Sequence, residues 1–162
     1  MCEQGEEAIA CNLYEECLSL RPEVGEVWAI AHALYRLGQA AHKKGDLTAA
    51  CTLLADALRV LHALGFKSAM PAVFMDIARI VVEQGKIESA VRIMGAARAL
   101  EEALDPLQFS EKHNEHDAEI DAGRAALGDD AFSTARAEGR AMTLEQAVTY
   151  AVGIINTDPS SV

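Results

Sequence analysis

The residues best suited to chemistry lie between positions 113 and 121, where histidines and carboxylates are concentrated. On a helix, His113 and His116 would share one face and Asp117 would add a carboxylate, so two or three metal ligands could converge there. The segment lacks the H-E-x-x-H order, and no second ligand-bearing helix accompanies it. We therefore expect a solvated acidic surface, with no metal and no cofactor. The nearby carboxylates are Glu115, Glu119 and Asp121.

Catalytic patterns are absent from the sequence. No nucleophile stands beside a base, no paired carboxylates mark a groove wall, and there is neither a G-x-x-x-x-G-K-[ST] loop nor a kinase signature. The sequence therefore predicts a protein that is not an enzyme. A small metal-binding or catalytic protein centred on residues 113–121 remains an alternative.

The charge is acidic and unevenly distributed. The chain of 162 residues has 14 Lys and Arg against 25 Asp and Glu, a formal net charge of −11. Residues 1–100 contribute −2 and residues 101–162 contribute −9. Neither part offers the clustered basic face that neutralises phosphates, so we expect no direct binding to nucleic acid or to an anionic membrane surface.

Nothing in the sequence indicates export. The opening segment MCEQGEEAIA is acidic and lacks the basic-then-apolar order of a signal peptide, and no apolar run approaches the ~20 residues that span a bilayer. The four cysteines form no C-x-x-C pair. These features predict a cytoplasmic protein with reduced thiols.

A period of forty residues organises the first hundred positions. Segments that start forty residues apart have similar residues at equivalent positions. Within each segment the apolar residues are spaced by three, four and seven, which is typical of one face of a helix. Each unit is expected to be helix, glycine turn, helix, with the first helix ending at the glycine in a left-handed cap. The matched positions are Gly5, Gly45 and Gly85, then Ala10, Ala50 and Ala90, then Leu13, Leu53 and Ile93.

This pattern resembles the tetratricopeptide repeat, although its period exceeds the usual ~34 residues. The family's Leu-Gly pair appears as Leu37-Gly38, its turn glycine as Gly45, and its small second-helix residues as Ala50 and Ala57. The next unit supplies Ile77-Ala78, Gly85, Ala90 and Ala97. The resemblance implies an all-α solenoid of antiparallel helix pairs, wound as a right-handed superhelix. Residues 1–104 would form the repeats, the first unit lacking its first helix.

Residues 105–162 are expected to form an acidic helical segment that caps the solenoid. The string ALGDDAFSTARAEGRAMTLEQAVTYAV within it resembles the closing segment of large bacterial transcriptional regulators of the LuxR type, which contain an ATPase domain. Arg136 stands where that family more often has tryptophan. We expect one helix to begin at Asp129 and end at Gly139, and another to begin at Thr143 with Gln146 completing a capping box.

The resemblance implies a non-enzymatic scaffold for protein–protein interaction, the sensor part of such a regulator. Its partner would be a protein or peptide, or other domains of a larger regulator. The first helix of each repeat lines the groove in this family, so its residues are the candidate binding set. Trp28 and Phe66 are expected to pack beside the turns. The groove residues are His32, Tyr35, Gln39, His42, Lys43, Met75, Arg79 and Glu83.

A second surface is expected on residues 4–20, which resemble the second helix of a unit whose own first helix is absent, so that this helix would lack half its cover. Apolar side chains left in water cost ~25 cal/mol per Å², so upstream chain or a second copy should cover them. A stand-alone homodimeric scaffold is therefore an alternative function. The residues of this self-association end are Ile9, Leu13, Cys17 and Leu20.

Overall fold

The computed structural model describes residues 24–104 and 117–155, apart from the side chains of 24, 25 and 117–120. Helices account for nearly all of these residues and none of them forms a strand, which confirms the predicted all-α class. A short 3₁₀ helix, Lys67–Ala69, precedes the third α-helix. The α-helices are α1 Val24–Lys43, α2 Leu47–Leu64, α3 Met70–Glu83, α4 Ile87–Leu104, α5 Asp117–Leu127, α6 Asp129–Ala141 and α7 Leu144–Ile155.

The helices belong to two compact units that divide between Phe66 and Lys67. In the first unit, α1 packs against α2. The contact is close at Gly38, where a Cβ would lie 2.8 Å from Cγ of Leu54. Asp46 caps α2 by accepting a hydrogen bond of 3.1 Å from the Ala49 N–H. The absence of a side chain at Gly38 therefore allows α1 and α2 to approach closely.

The period of forty in the sequence is also a period in the backbone. Helices α2 and α4 have bounds forty residues apart, and Gly45 and Gly85 both have a φ of 82°, as the predicted left-handed caps require. The superhelical arrangement implied by the tetratricopeptide resemblance stays a prediction. The matched hydrogen bonds are Gly45 N–H to His42 O (3.0 Å) and Asp46 N–H to Ala41 O (3.0 Å), then Gly85 N–H to Val82 O (2.9 Å) and Lys86 N–H to Val81 O (3.1 Å).

The second pair differs at its start. Helix α3 has 14 residues where α1 has 20, although both end at equivalent places. Gly65 adopts a left-handed conformation after α2, and Pro71 stands in the first turn of α3, so the helix begins late. The sequence period alone does not predict this shortening.

Helix α7 closes over the second pair by packing against both α3 and α4. The predicted capping box at its start is confirmed: the Thr143 N–H donates to Gln146 Oε1 (3.0 Å), and the Gln146 N–H donates to Thr143 Oγ1 (3.2 Å). Lys86 Nζ donates to the Ile154 carbonyl at the other end of the helix (3.3 Å). The buried side of α7 is Ala147, Val148, Ala151 and Ile155.

Helices α4 and α6 cross with their backbones in contact. A Cβ at Gly139 would lie 1.9 Å from the Arg92 carbonyl oxygen, and a Cβ at Gly95 would lie 2.5 Å from the Arg136 carbonyl oxygen. The prediction that a helix ends at Gly139 is therefore wrong, because α6 continues to Ala141. Gly139 lies inside α6 and not in a turn, and the absence of its side chain makes room for α4.

Ion pairs flank this crossing on both sides of Gly139. Arg92 Nε donates to Glu138 Oε2 at 2.6 Å, and Arg140 Nη2 donates to Glu102 Oε2 at 2.6 Å. Two hydrogen bonds raise the pKa of Arg92: the one to Glu138 has the larger effect and the one to Tyr150 the smaller. Three consecutive residues thus join α6 to α4: Glu138 and Arg140 form ion pairs with α4, and Gly139 between them allows the two backbones to meet.

One helix of the described residues, Leu47–Leu64, is long and apolar enough to cross a membrane by length and composition. The buried core helix of a soluble protein passes the same criterion. Here 39% of the helix is buried inside the protein, including Leu54, Leu58 and Leu61.

Substituting Gly139→Ala should destabilise the second unit by about 3 kcal/mol, because the added methyl group meets backbone rather than a movable side chain. Urea unfolding followed by circular dichroism measures the loss. Gly153→Ala is the matched control: nothing lies within 4 Å of its Cβ position in α7. Its stability should stay the same or rise by about 0.5 kcal/mol through helix propensity. Equal losses in both variants would contradict the close crossing.

Substituting Glu138→Gln should lower the free energy of unfolding by about 1 kcal/mol, because the half-exposed carboxylate loses its charge beside Arg92. The loss should shrink in high salt. Asp129→Asn is the control, since Asp129 lies 3.9 Å from Arg124 and is 88% exposed. That variant should lose less than about 0.5 kcal/mol. A salt-independent loss in Glu138→Gln would rule out the ionic explanation.

Candidate interaction surface

Four of the described residues of α1 form a row of aromatic and polar side chains, which we call the α1 surface: Trp28, His32, Tyr35 and Gln39. Their spacings of four, three and four place them on one side of the helix. The opposite side of α1, with Ala31, Leu34 and Leu37, is buried. One side of α1 is thus packed, whereas on the other side Trp28 and His32 are exposed and Tyr35 and Gln39 are half-buried.

Internal contacts order this row. The rings of Trp28 and His32 stack with centroids 5.4 Å apart and an angle of 6° between planes. Gln39 Nε2 donates to the Tyr35 hydroxyl at 2.9 Å. Arg36, three residues before Gln39, donates from Nη1 to Gln39 Oε1 at 3.5 Å. Because these side chains already hold each other, a ligand would bind them with a smaller loss of rotamer freedom.

The α1 surface lies in a locally basic segment of an acidic protein. Between positions 24 and 44 the sequence carries Arg36, Lys43 and Lys44 against Glu26 alone. His42 and Lys43 occupy the last turn of α1, where cations interact favourably with the helix dipole. The local charge of this segment is therefore positive, in contrast to the charge of the whole chain.

Trp28 was expected to pack beside a turn, but it is 44% exposed and lies on the accessible side of α1. The expectation rested on where tryptophan usually occurs in repeats. The spacing of four to His32 was the available signal, because aromatic residues at that spacing can stack on a helix.

The predicted groove residues of the second unit have different environments. Met75 is 1% exposed, so it is a core residue of this structure and cannot contact a ligand from solvent. Arg79 Nη1 lies 2.5 Å from Asp76 Oδ1, and the Asp76 side chain is only 8% exposed. Glu83 is exposed at the end of α3. Asp76 is not among the predicted site residues, although its spacing of three to Arg79 fits a helical ion pair.

The self-association end, Ile9, Leu13, Cys17 and Leu20, lies outside the described residues. So do His113, Glu115 and His116 of the disfavoured metal cluster. Within residues 24–104 and 117–155, no group of three or more histidine, cysteine and carboxylate residues is placed to hold a metal ion.

Comparison with known proteins relates the chain to bacterial gene regulators. It is 34% identical over 82 residues to proteins named as HTH-type transcriptional regulators in Mycobacterium bovis and in two strains of Mycobacterium tuberculosis. The match covers 51% of this chain but only 9% of each relative, so the chain spans a small part of their length. No protein-family profile matches the chain, and no solved structure matches it. The chain is thus a distant relative of HTH-type transcriptional regulators over half its length.

Proposed function

We propose that this chain is a non-enzymatic, cytoplasmic interaction module of a transcriptional regulator, and that it binds an acidic protein segment on the α1 surface. The observation that carries the proposal is the ordered row on one side of α1, in which Trp28 and His32 are exposed and Tyr35 and Gln39 are half-buried. The similarity to HTH-type regulators supports the regulatory setting. Tetratricopeptide-like helix pairs would supply the scaffold.

The composition of the α1 surface supports a peptide or helix as ligand. Tryptophan and tyrosine are enriched among residues that dominate binding energy, because large rings bury much area with few rotatable bonds. Trp28 offers its apolar face, while Gln39 and Tyr35 offer polar groups at fixed positions. An amphipathic segment could cover the ring and reach these polar groups together.

Charge supports the acidic character of that segment. Arg36 and Lys43 flank the row and would steer carboxylates toward it. The chain as a whole carries −11, so a partner attracted to this surface must respond to the local positive field rather than to the total charge. In a full-length regulator, occupancy of the α1 surface would be passed to attached ATPase and DNA-binding domains, and this chain would not contact DNA itself.

The proposal is tested by selecting ligands from a random peptide display library on the purified chain. Trp28 is the single tryptophan of the sequence, so its fluorescence reports directly on binding at this surface. We expect the selected peptides to be rich in Asp, Glu and apolar residues, and to change Trp28 emission. Tyr35→Ala should weaken binding about tenfold, which corresponds to the ~1.4 kcal/mol typical of an interface anchor.

Two further variants separate the surface from the fold. Tyr35→Phe retains the ring but removes the hydroxyl that accepts from Gln39, so it should weaken binding less than Tyr35→Ala. Thr52→Ala, on the exposed side of α2, should leave the dissociation constant unchanged. Peptides without acidic enrichment, or binding insensitive to Tyr35→Ala, would contradict the proposal. Sedimentation of the same samples shows whether a second copy occupies the surface instead.

A further inference from the structure

Two aromatic rings of the α1 surface form a stacked pair that is open to solvent. The rings of Trp28 and His32 are nearly parallel, with 6° between their planes and 5.4 Å between their centroids. Trp28 is 44% exposed, and His32 is exposed as well. Within the described part of the chain, no hydrogen bond or ion pair holds the His32 imidazole, so the stack is what orients it. Protons from solvent therefore reach a ring whose position is set by Trp28.

A proton would change both the stack and the charge of this surface. Histidine is the side chain that ordinarily changes its charge between about pH 5 and 8. A cation within about 6 Å of an indole ring is attracted to the electron-rich face of that ring. Protonation of His32 would therefore strengthen its contact with Trp28 and, at the same time, add a positive charge to the α1 surface.

The charges around His32 make its protonated form receptive to a carboxylate. Arg36 lies four residues further along α1, so a positive charge on His32 would be repelled by the guanidinium group. A carboxylate bound beside the two side chains would offset that repulsion. On α2, which packs against α1, Asp56 and Arg59 pair with each other at 3.0 Å. The charged and titratable groups of this helix pair are Glu26, Arg36, His42 and Lys43 on α1, Lys44 and Asp46 in the turn, and Asp56, Arg59 and His62 on α2.

We propose that His32 makes binding at the α1 surface dependent on pH: stacked on Trp28, its protonated form holds an acidic protein segment more tightly than its neutral form. This inference rests on the proposed function of the α1 surface. Because coupling between two ligands is reciprocal, a bound acidic segment must in turn favour protonation of His32. Binding therefore tightens as the pH falls from about 8 to 5, a range in which the Asp and Glu side chains of a ligand stay mostly ionised.

The first measurement uses the free chain and needs no ligand. Excited indole transfers an electron to a stacked imidazolium ring much faster than to a neutral imidazole, so protonation of His32 should quench the emission of Trp28, the single tryptophan. We expect a sigmoidal loss of emission as the pH falls from about 8 to 5. His32→Gln should abolish this loss, whereas His42→Gln and His62→Gln should retain it. Emission that does not change with pH, or a loss that persists in His32→Gln, would overturn the proposal.

The second measurement tests the effect on binding. A short capped peptide of Glu, Ala and Leu in a helical pattern is titrated onto the chain, and calorimetry gives its dissociation constant at about pH 7.5 and about pH 5.5. We expect binding about threefold tighter at the lower pH, which is the size of one exposed charge pair. In His32→Gln the two dissociation constants should agree. Because His32 is exposed, this variant should fold, and circular dichroism checks that it does.

The outcomes separate this inference from the proposed function. Equal binding at the two pH values overturns the inference and leaves the α1 surface as a binding site. A peptide that binds at neither pH contradicts the proposed function and, with it, the pH dependence of binding. A pH effect of the same size in His32→Gln shows that a different group titrates, which also overturns the inference.

Discussion

The backbone contact between α4 and α6 determines the arrangement of the second unit. Because Gly95 and Gly139 have no side chains at the crossing, the helix axes approach more closely than ordinary side chains allow. This approach brings Phe132 and Ala135 onto Val91 in one apolar cluster and brings Glu138 within reach of Arg92. The apolar cluster and the ion pair between Arg92 and Glu138 both depend on the absence of side chains at Gly95 and Gly139.

Features set by neighbours in sequence were predictable, and features set by distant partners were not. The turns at Gly45 and Gly85 and the Thr143–Gln146 capping box follow from local backbone geometry, so the sequence identified them correctly. The local sequence around Gly139 is equally compatible with a helix end and with a close approach. The residue that decides between them, Arg92, lies far away in sequence. The burial of Met75 and the exposure of Trp28 depend on tertiary packing in the same way.

Total charge is a poor guide to what this protein can recognise. A net charge of −11 disfavours binding to phosphates, yet positions 24 to 44 carry Arg36, Lys43 and Lys44 against Glu26 alone. Since screening limits electrostatic attraction to about 10 Å in solution, a partner responds to the nearest groups. Recognition of carboxylates by an acidic protein is therefore physically consistent.

The crossing of α4 and α6 also determines where the chain can be divided for dissection. The repeat pattern in the sequence ends at Leu104, which invites a cut there. Such a cut would strip Phe132 and Ala135 from Val91 and leave the glycine side of α4 facing water. A cut between Phe66 and Lys67 instead follows the boundary between compact units, each with its own internal contacts. The two helix pairs look equivalent in sequence but differ when they are cut out as fragments. The second pair needs the acidic segment that follows it, because that segment covers the apolar side of α4.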